Sequence, residues 1–432
     1  MTDTIDNSPP ELAALAHKAA RLTDRAIDAY EGGKPERALR LAREAVASAA
    51  TTHIDAARLV ELLRVLGKAD ESSALAGETL GRIDFAVQSA PDDAALLFDC
   101  GHVCMELGRR DRAEPLLLRA HALNPSDGRA AILLMVVLLE RGEPDRLIPI
   151  FDEFVATTER KGAFLLMLCK ALGQYGFRDH AERVLATAEP HFAGDRLPYD
   201  EAMAAIRGTE SGRSQREVAT RLFDDFAANY DENLRNIGNN GPEMIARMLG
   251  TIGLKPGAGL EILDAGCGTG LCAPFLRPYA AHVHGCDVSV RMLELCREKR
   301  VYDLLTRTDL GMRATFPDGP FDLVASGDVF VYFGDLLPVL QNIASVLRPG
   351  GWLIFTVEDC PEDGLTQGYR VQPSGRHAHG AGYLARTLLK AGFGKPKLQF
   401  TDTLRTEFRT PVVGRAVAAQ KLATLGMAAP GG

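Results

Sequence analysis

At 432 residues, with 46% hydrophobic and 25% charged side chains, the chain is too long for one ordinary domain and can bury a core in each of two. A formal net charge of -8 argues against a nucleic-acid-binding surface as its main business. The N-terminus lacks the basic-then-apolar pattern of a secretory leader, no apolar run approaches the roughly 18 residues of a membrane span, and the eight cysteines follow neither a disulfide nor a zinc spacing. The expectation is a cytoplasmic protein without a membrane partner.

In chain order, a polar segment at 1–9 is expected to be disordered, and a helical pattern then runs from 10 to 206. Within it Gly108, Gly142 and Gly176 stand 34 apart, as do Ala113, Leu147 and Ala181, so a helical hairpin repeats. Gly33 and Gly67 keep the same spacing, whereas Gly67 to Gly108 is 41, which predicts an insertion of one or two helical turns near "GETLGRI". A hairpin of this length cannot bury its own apolar face, and small residues at fixed positions let neighbours stack into a superhelix. The unit "PDDAALLFDCGHVCMELGRRDRAEPLLLRAHALNPSD" resembles a tetratricopeptide repeat. The array is read as a groove that holds a peptide, a carrier or a partner protein, or as a scaffold for self-association or for stability alone.

Residues 207–214 are polar and rich in glycine and serine, which predicts a linker, with a second domain over 215–425 and a flexible tail at 426–432. There the pattern becomes short apolar strands alternating with helices, the signature of a parallel sheet covered on both faces. "KLQFTDTLRTE" and "PVVGRAVAAQKL" read as an antiparallel hairpin at its end.

The stretch "LDAGCGTG" places Gly266, Gly268 and Gly270 directly after the first of these strands. A dinucleotide fingerprint wants its third glycine one place later, at Leu271, so the spacing disfavours NAD. Asp287 closes the second strand, Asp309 follows the third and Asp328 the fourth. A carboxylate at the end of the second strand suits ribose hydroxyls.

With "FDDFAANYDENL", "VYDLLTRTDL", "GDVFVYFGDL", "LRPGGWLIFTVE", "SGRHAHGAGYL" and "LRTEFRTPVVG", the second half resembles bacterial class I methyltransferases that depend on S-adenosylmethionine (SAM) and carry tetratricopeptide repeats ahead of the catalytic domain. The resemblance implies an α + α/β chain: an all-α superhelix, then a Rossmann-like, mostly parallel seven-stranded sheet ending in an antiparallel hairpin. It implies that Gly266, Gly268 and Gly270 line the methionine tail, Asp287 holds the ribose and Asp309 the adenine. Asp264, Cys267, Val288, Leu310 and Asp328 would lie against the same cofactor, and Tyr230 would close over it.

Candidates for the acceptor side follow. His379 and His377, in a segment expected to be a loop over the strand ends, face one way in an extended chain and are candidate bases, or else merely tie a loop to the domain. No third metal ligand accompanies them, so no metal is expected. Arg376 beside them would pair with an acidic acceptor. Arg405 points into the acceptor pocket or pairs at the sheet edge, and Tyr332 borders the methyl group. Asn239, in "IGNNGP" where relatives carry an aromatic and a basic residue, would alter the acceptor pocket. "GDVF" stands where an "NPPY"-type motif would serve base or glutamine-amide methylation, which leaves O-methylation, or N-methylation of a plain amine, on a peptide, protein or small metabolite. A SAM-binding scaffold without transfer is the competing reading.

Overall fold

A computed structural model describes residues 10–48, 51–209, 230–361 and 365–423. The expected N-terminal disorder at 1–9, most of the linker, the domain start at 215 and the tail at 426–432 lie outside the described residues. The chain forms two compact units, Met1–Phe164 and Leu165–Gly432.

The first unit is helical. The hairpins are α1 (Pro10–Glu31) with α2 (Pro35–Val46), α3 (His53–Val65) with α4 (Ala69–Ser89), α5 (Ala94–Glu106) with α6 (Arg110–Leu123), and α7 (Gly128–Glu140) with α8 (Pro144–Thr157). The 34-residue period falls on the turns inside the hairpins. Gly33, Gly67, Gly108 and Gly142 all have φ between 70° and 76°, a conformation that an L side chain adopts at a cost. The predicted insertion is a lengthening of α4 to 21 residues, against 12 for α2 and 14 for α6. A Cβ on Gly101 would lie 2.9 Å from Leu117, so glycine there lets α5 and α6 close on each other. Asp93 and Asp127, also 34 apart, cap α5 and α7 by accepting from main-chain N–H groups.

The second unit begins with helices of the same kind, α9 (Lys161–Gln174, entering the unit at Leu165), α10 (Arg178–Ala188) and α11 (Leu197–Arg207). The last helices of the repeat pattern therefore pack with the sheet that follows. Tyr175 donates its hydroxyl to the Phe408 carbonyl at 2.7 Å, and Gly173 abuts Pro373 so closely that a Cβ would come within 2.8 Å.

The strands are β1 (Leu260–Ala265), β2 (Ala280–Asp287), β3 (Leu304–Arg307), β4 (Phe321–Ser326), β5 (Leu347–Asp359), β6 (Tyr369–Val371), β7 (His377–His379), β8 (Leu398–Glu407) and β9 (Thr410–Gln420). The order β3-β2-β1-β4-β5 is parallel, and β9 runs antiparallel to β5 and β8. The sheet has nine strands, not the seven expected. The additional pair is β6 and β7, which joins the end of β5 where Glu358 and Asp359 meet Ala378 and His379. The loop predicted at 373–383 is thus largely strand and helix: Gly375, at φ 87°, closes a tight turn that folds β7 back on β6. One side of the sheet packs Leu263, Val324, Leu353 and Phe355 against α16 (Leu337–Val346) and α17 (Ala381–Lys390). The other packs Ile262, Val283, Leu323 and Ile354 against α13 (Gly241–Thr251) and the short α14 (Ala273–Leu276). Among the described residues, no helix is long and apolar enough to cross a membrane.

Candidate functional site

Where β1 ends, the chain turns through Gly266, Gly268 and Gly270, at φ 79°, 52° and 94°. The three glycines are needed for different reasons. A Cβ on Gly266 would sit 2.6 Å from a methyl of Val329 and one on Gly270 2.8 Å from Val301, so packing excludes any side chain there. Gly268 is open, and a Cβ would meet only the Tyr230 ring at 3.7 Å. Asp287, at the end of β2, fixes the turn by accepting from Gly268 N and Ser289 N, each at 2.9 Å.

These residues wall a cavity of about 660 Å³ at the carboxyl ends of the parallel strands. Tyr230, Asn239, Gly266, Cys267, Gly268, Asp287, Val288, Asp309, Leu310, Asp328 and Tyr332 all line it. Tyr230 begins α12 (Tyr230–Asn236). That helix is tied to the glycine turn because Asp231 accepts from Thr269 Oγ1 and from Nζ of Lys299, the last residue of α15 (Val290–Lys299), and Lys299 also donates to the Thr269 carbonyl. Burial, reinforced by Tyr332, Asp328 and Asp287, pushes the Tyr230 hydroxyl well above its usual pKa, so it stays a proton donor.

Two of the residues expected at the cofactor stand behind the wall. Gly270 packs against Val301 and Tyr302. Asp264 lies beneath the turn, 1% exposed, with Oδ2 accepting from Tyr302 at 2.6 Å. Burial pushes its pKa up to about 7, against the Tyr302 hydrogen bond and with help from Asp287.

The acceptor-side expectations need more correction. His377 and His379 are buried on β7, and neither lines the cavity. The His379 Nε2 donates to the carbonyls of Phe333 and Gly334 at 2.9 and 3.1 Å, and His377 Nδ1 lies 3.3 Å from the Val331 carbonyl. Burial holds His379 down to about 4, leaving it neutral. Both rings thus fasten the 331–334 loop that carries Tyr332 into the cavity.

Arg376 does not line the cavity either; it ion-pairs with Glu407 and lies 5.7 Å from the centroid of the Tyr332 ring. Arg405 is wholly buried, donating to Asp328 at 2.9 Å, to Glu407 at 2.7 Å and to Glu358. It is neither in the cavity nor at an exposed sheet edge. Burial works against the Glu407 carboxylate, but Arg376 and Arg405 outweigh it and hold its pKa below the usual range. Lys170 of α9 adds to the same cluster, its pKa lowered by burial and by Arg376 against the attraction of Glu407 and Glu201.

Asp328 closes this network onto the cavity. Its φ of 56° is rare for a non-glycine residue and costs about 1–3 kcal/mol. It is held there by Arg405, by Thr356 Oγ1 on its main-chain N–H at 2.7 Å, and by Asn239 Nδ2 at 2.8 Å. Sequence reasoning missed Tyr302, Glu358 and Lys170. The one signal available was Glu358 itself, a carboxylate ending the apolar run "WLIFTVE".

Residues 263–355 match the family model described as a methyltransferase domain. The chain is 34% identical over 142 residues to a demethylmenaquinone methyltransferase of Corynebacterium kroppenstedtii, covering 33% of this chain and 59% of that protein. It is 33% identical over 108 residues to a ubiquinone biosynthesis O-methyltransferase of Thiobacillus denitrificans, covering 23% of this chain and 45% of that protein. It therefore spans about half the length of the curated relatives it matches. Among solved structures it is similar to magnesium protoporphyrin IX methyltransferase from Synechocystis with bound SAH, with 19% identity over 47% of this chain and 99% of that one and a TM-score of 0.36.

Proposed function

We propose that the second unit is a SAM-dependent methyltransferase and that the helical array ahead of it, a tetratricopeptide-like superhelix, recruits a peptide or protein that is, or delivers, the acceptor. The observation that carries this reading is the bare turn at Gly266 and Gly268, with Asp287 and Asp309 beyond it and Tyr230 above it, all on one cavity. The match of 263–355 to a methyltransferase domain supports it.

The residues present suit this cofactor. Gly266 and Gly268 line the cavity without side chains, so a ligand would approach main chain there. Bound SAM supplies an electrophilic methyl group on a sulfonium that leaves as a neutral thioether. Asp287 would accept from the ribose hydroxyls while keeping its hold on Gly268 and Ser289, since each carboxylate oxygen can accept more than one hydrogen bond. Asp309 would accept from the adenine amino group, and Tyr230 would exclude water from above. The chain's main contribution to rate would be positioning, which can lower such a barrier by roughly 7–11 kcal/mol.

The test is calorimetric titration with S-adenosylhomocysteine (SAH), then incubation of the full chain with methyl-labelled SAM and a size-fractionated extract. Saturable SAH binding that is lost in Asp287→Ala, together with transferred label, supports the reading. SAH binding without label would favour a scaffold that binds the cofactor and transfers nothing. Label equally strong in a chain lacking the first unit would remove recruitment from the array's role.

A further inference from the structure

The charges around the cavity bear on the chemistry of the acceptor. Among the described residues, the ionisable side chains on its wall other than the tyrosines and cysteines are all carboxylates: Asp287, Asp309, Asp328 and Asp335. The first two stand on the β2 and β3 side, where the cofactor is placed above. The other two follow β4, beside the rings of Tyr230, Tyr332 and Phe333. Arg376 and Arg405 pair with Glu407, Glu358 and Asp328, and neither lines the cavity, although Arg376 Nε donates to the hydroxyl of the lining Tyr332 at 3.4 Å. Asp335 is exposed, its Oδ1 accepting from Leu337 N and the Tyr383 hydroxyl, each at 3.0 Å, with no cation paired to it among the described residues.

A carboxylate or phosphate group entering here would be desolvated beside like charges, with no cation from the wall to pair with it. A protonated amine would gain from attraction to the unpaired Asp335 and from the aromatic side chains that line the same wall. Resting on the methyltransferase reading above, we propose that the acceptor is a primary or secondary amine and that the product is its N-methyl derivative. The ammonium form is drawn in, sheds one proton to water at the cavity mouth, and the freed nitrogen lone pair forms the new N–C bond. The C–S bond breaks with its electron pair remaining on sulfur, and the new ammonium keeps the positive charge.

The experiment uses the full chain, labelled SAM and an extract divided in two, one half treated with an N-acylating reagent that caps primary and secondary amines. Transfer should fall at least about tenfold in the capped half, and label already transferred should survive mild base. Label released as methanol by base, the mark of a methyl ester, or transfer indifferent to capping, overturns the proposal. A second measurement stands independent of turnover: thermal shift of the SAH complex with 2-phenylethylamine against 3-phenylpropionate. Stabilisation by the amine alone, weakened about tenfold in Asp335→Asn with SAH affinity unchanged, is expected. Preference for the carboxylate, or response to neither compound, sinks it. Absence of SAH binding would sink the methyltransferase reading itself, a distinct outcome.

Discussion

Replacing Arg405 by Met tests whether the buried ion cluster is what holds the acceptor side together. Arg405 is 0% exposed and joins three carboxylates. Asp328 would keep Asn239 and Glu407 would keep Arg376, but Glu358, 2% exposed, has Arg405 as its one ion-pair partner among the described residues. The cost is therefore that of one uncompensated buried carboxylate, about 3–5 kcal/mol. Burial already raises the Glu358 pKa, and Arg405 is the foremost of the charges that oppose it. Without Arg405 the folded-state pKa rises further above the unfolded one, so the penalty is absent below the unfolded value and grows as pH rises towards the folded one. Urea unfolding followed by fluorescence of Trp352, the chain's single tryptophan and a residue of β5, reads the deficit directly. It should be several kcal/mol near pH 8 and shrink towards about pH 5. Adding Glu358→Gln should restore most of it. A deficit under about 1 kcal/mol, a deficit flat across that range, or further loss in the double variant would refute the reasoning.

Other outcomes follow from single residues. Gly266→Ala, at φ 79° and with its methyl driven to 2.6 Å from Val329, should cost about 1–3 kcal/mol and abolish SAH binding in calorimetry; near-normal affinity would contradict the close approach assigned to this turn. Because the folded protein holds the Asp264 proton up to about 7, wild-type melting temperature should fall as pH rises from about 4 through about 7. Asp264→Asn should flatten that slope, and an unchanged slope would assign the titration elsewhere. A chain starting at Lys161 should bind SAH like the full chain. One starting at Ser214 loses the Tyr175 bond to Phe408 and the packing of Gly173 on Pro373, and should be less stable by more than about 2 kcal/mol; equal melting of the two would show that α9–α11 are dispensable.

Much of the cofactor side was legible because chain order dictates it. In a parallel sheet the residues that follow strand ends meet at one edge, so Asp287, Asp309 and Asp328 come together whatever the loops do. The repeat period was legible for a similar reason: a tight turn between helices demands positive φ, and glycine recurs wherever it does. The region around β7 and β8 was opaque because its geometry comes from exceptions to periodicity. His377 and His379 share one face, as their spacing implied, but a strand of three residues is too short to announce itself, and its neighbour is supplied by the end of β5.

Arg405 is the sharper case. Alternation along β8 puts Leu404 and Arg405 on opposite faces, yet both are 0% exposed. The register of β8 against β9 shifts between Thr403 and Arg405, and such an irregularity re-aims the side chains around it. The 237–240 segment is bound to that stretch: Asn240 N donates to the Leu404 carbonyl at 2.8 Å, its side chain to Thr403 at 3.0 Å, and Thr406 N donates back to Ile237 at 2.7 Å. Asn239 meanwhile grips Asp328, on the carboxylate oxygen opposite the one Arg405 uses. The two asparagines of "IGNNGP" therefore do one job from two sides, bracing the 237–240 segment against β8 and against Asp328. The boundary between the chain's halves follows the same logic. Sequence pattern changes near 207, where the helical period stops, but packing divides the chain at 164, because Lys170, Gly173 and Tyr175 interact with the tip of the C-terminal hairpin and the turn before β7. Helices that still read as repeat thus pack on the ion cluster that holds Asp328, so on the proposed reading a Lys170→Met variant should change label transfer to acceptor while SAH affinity in calorimetry stays the same, and an equal loss of both would refute it.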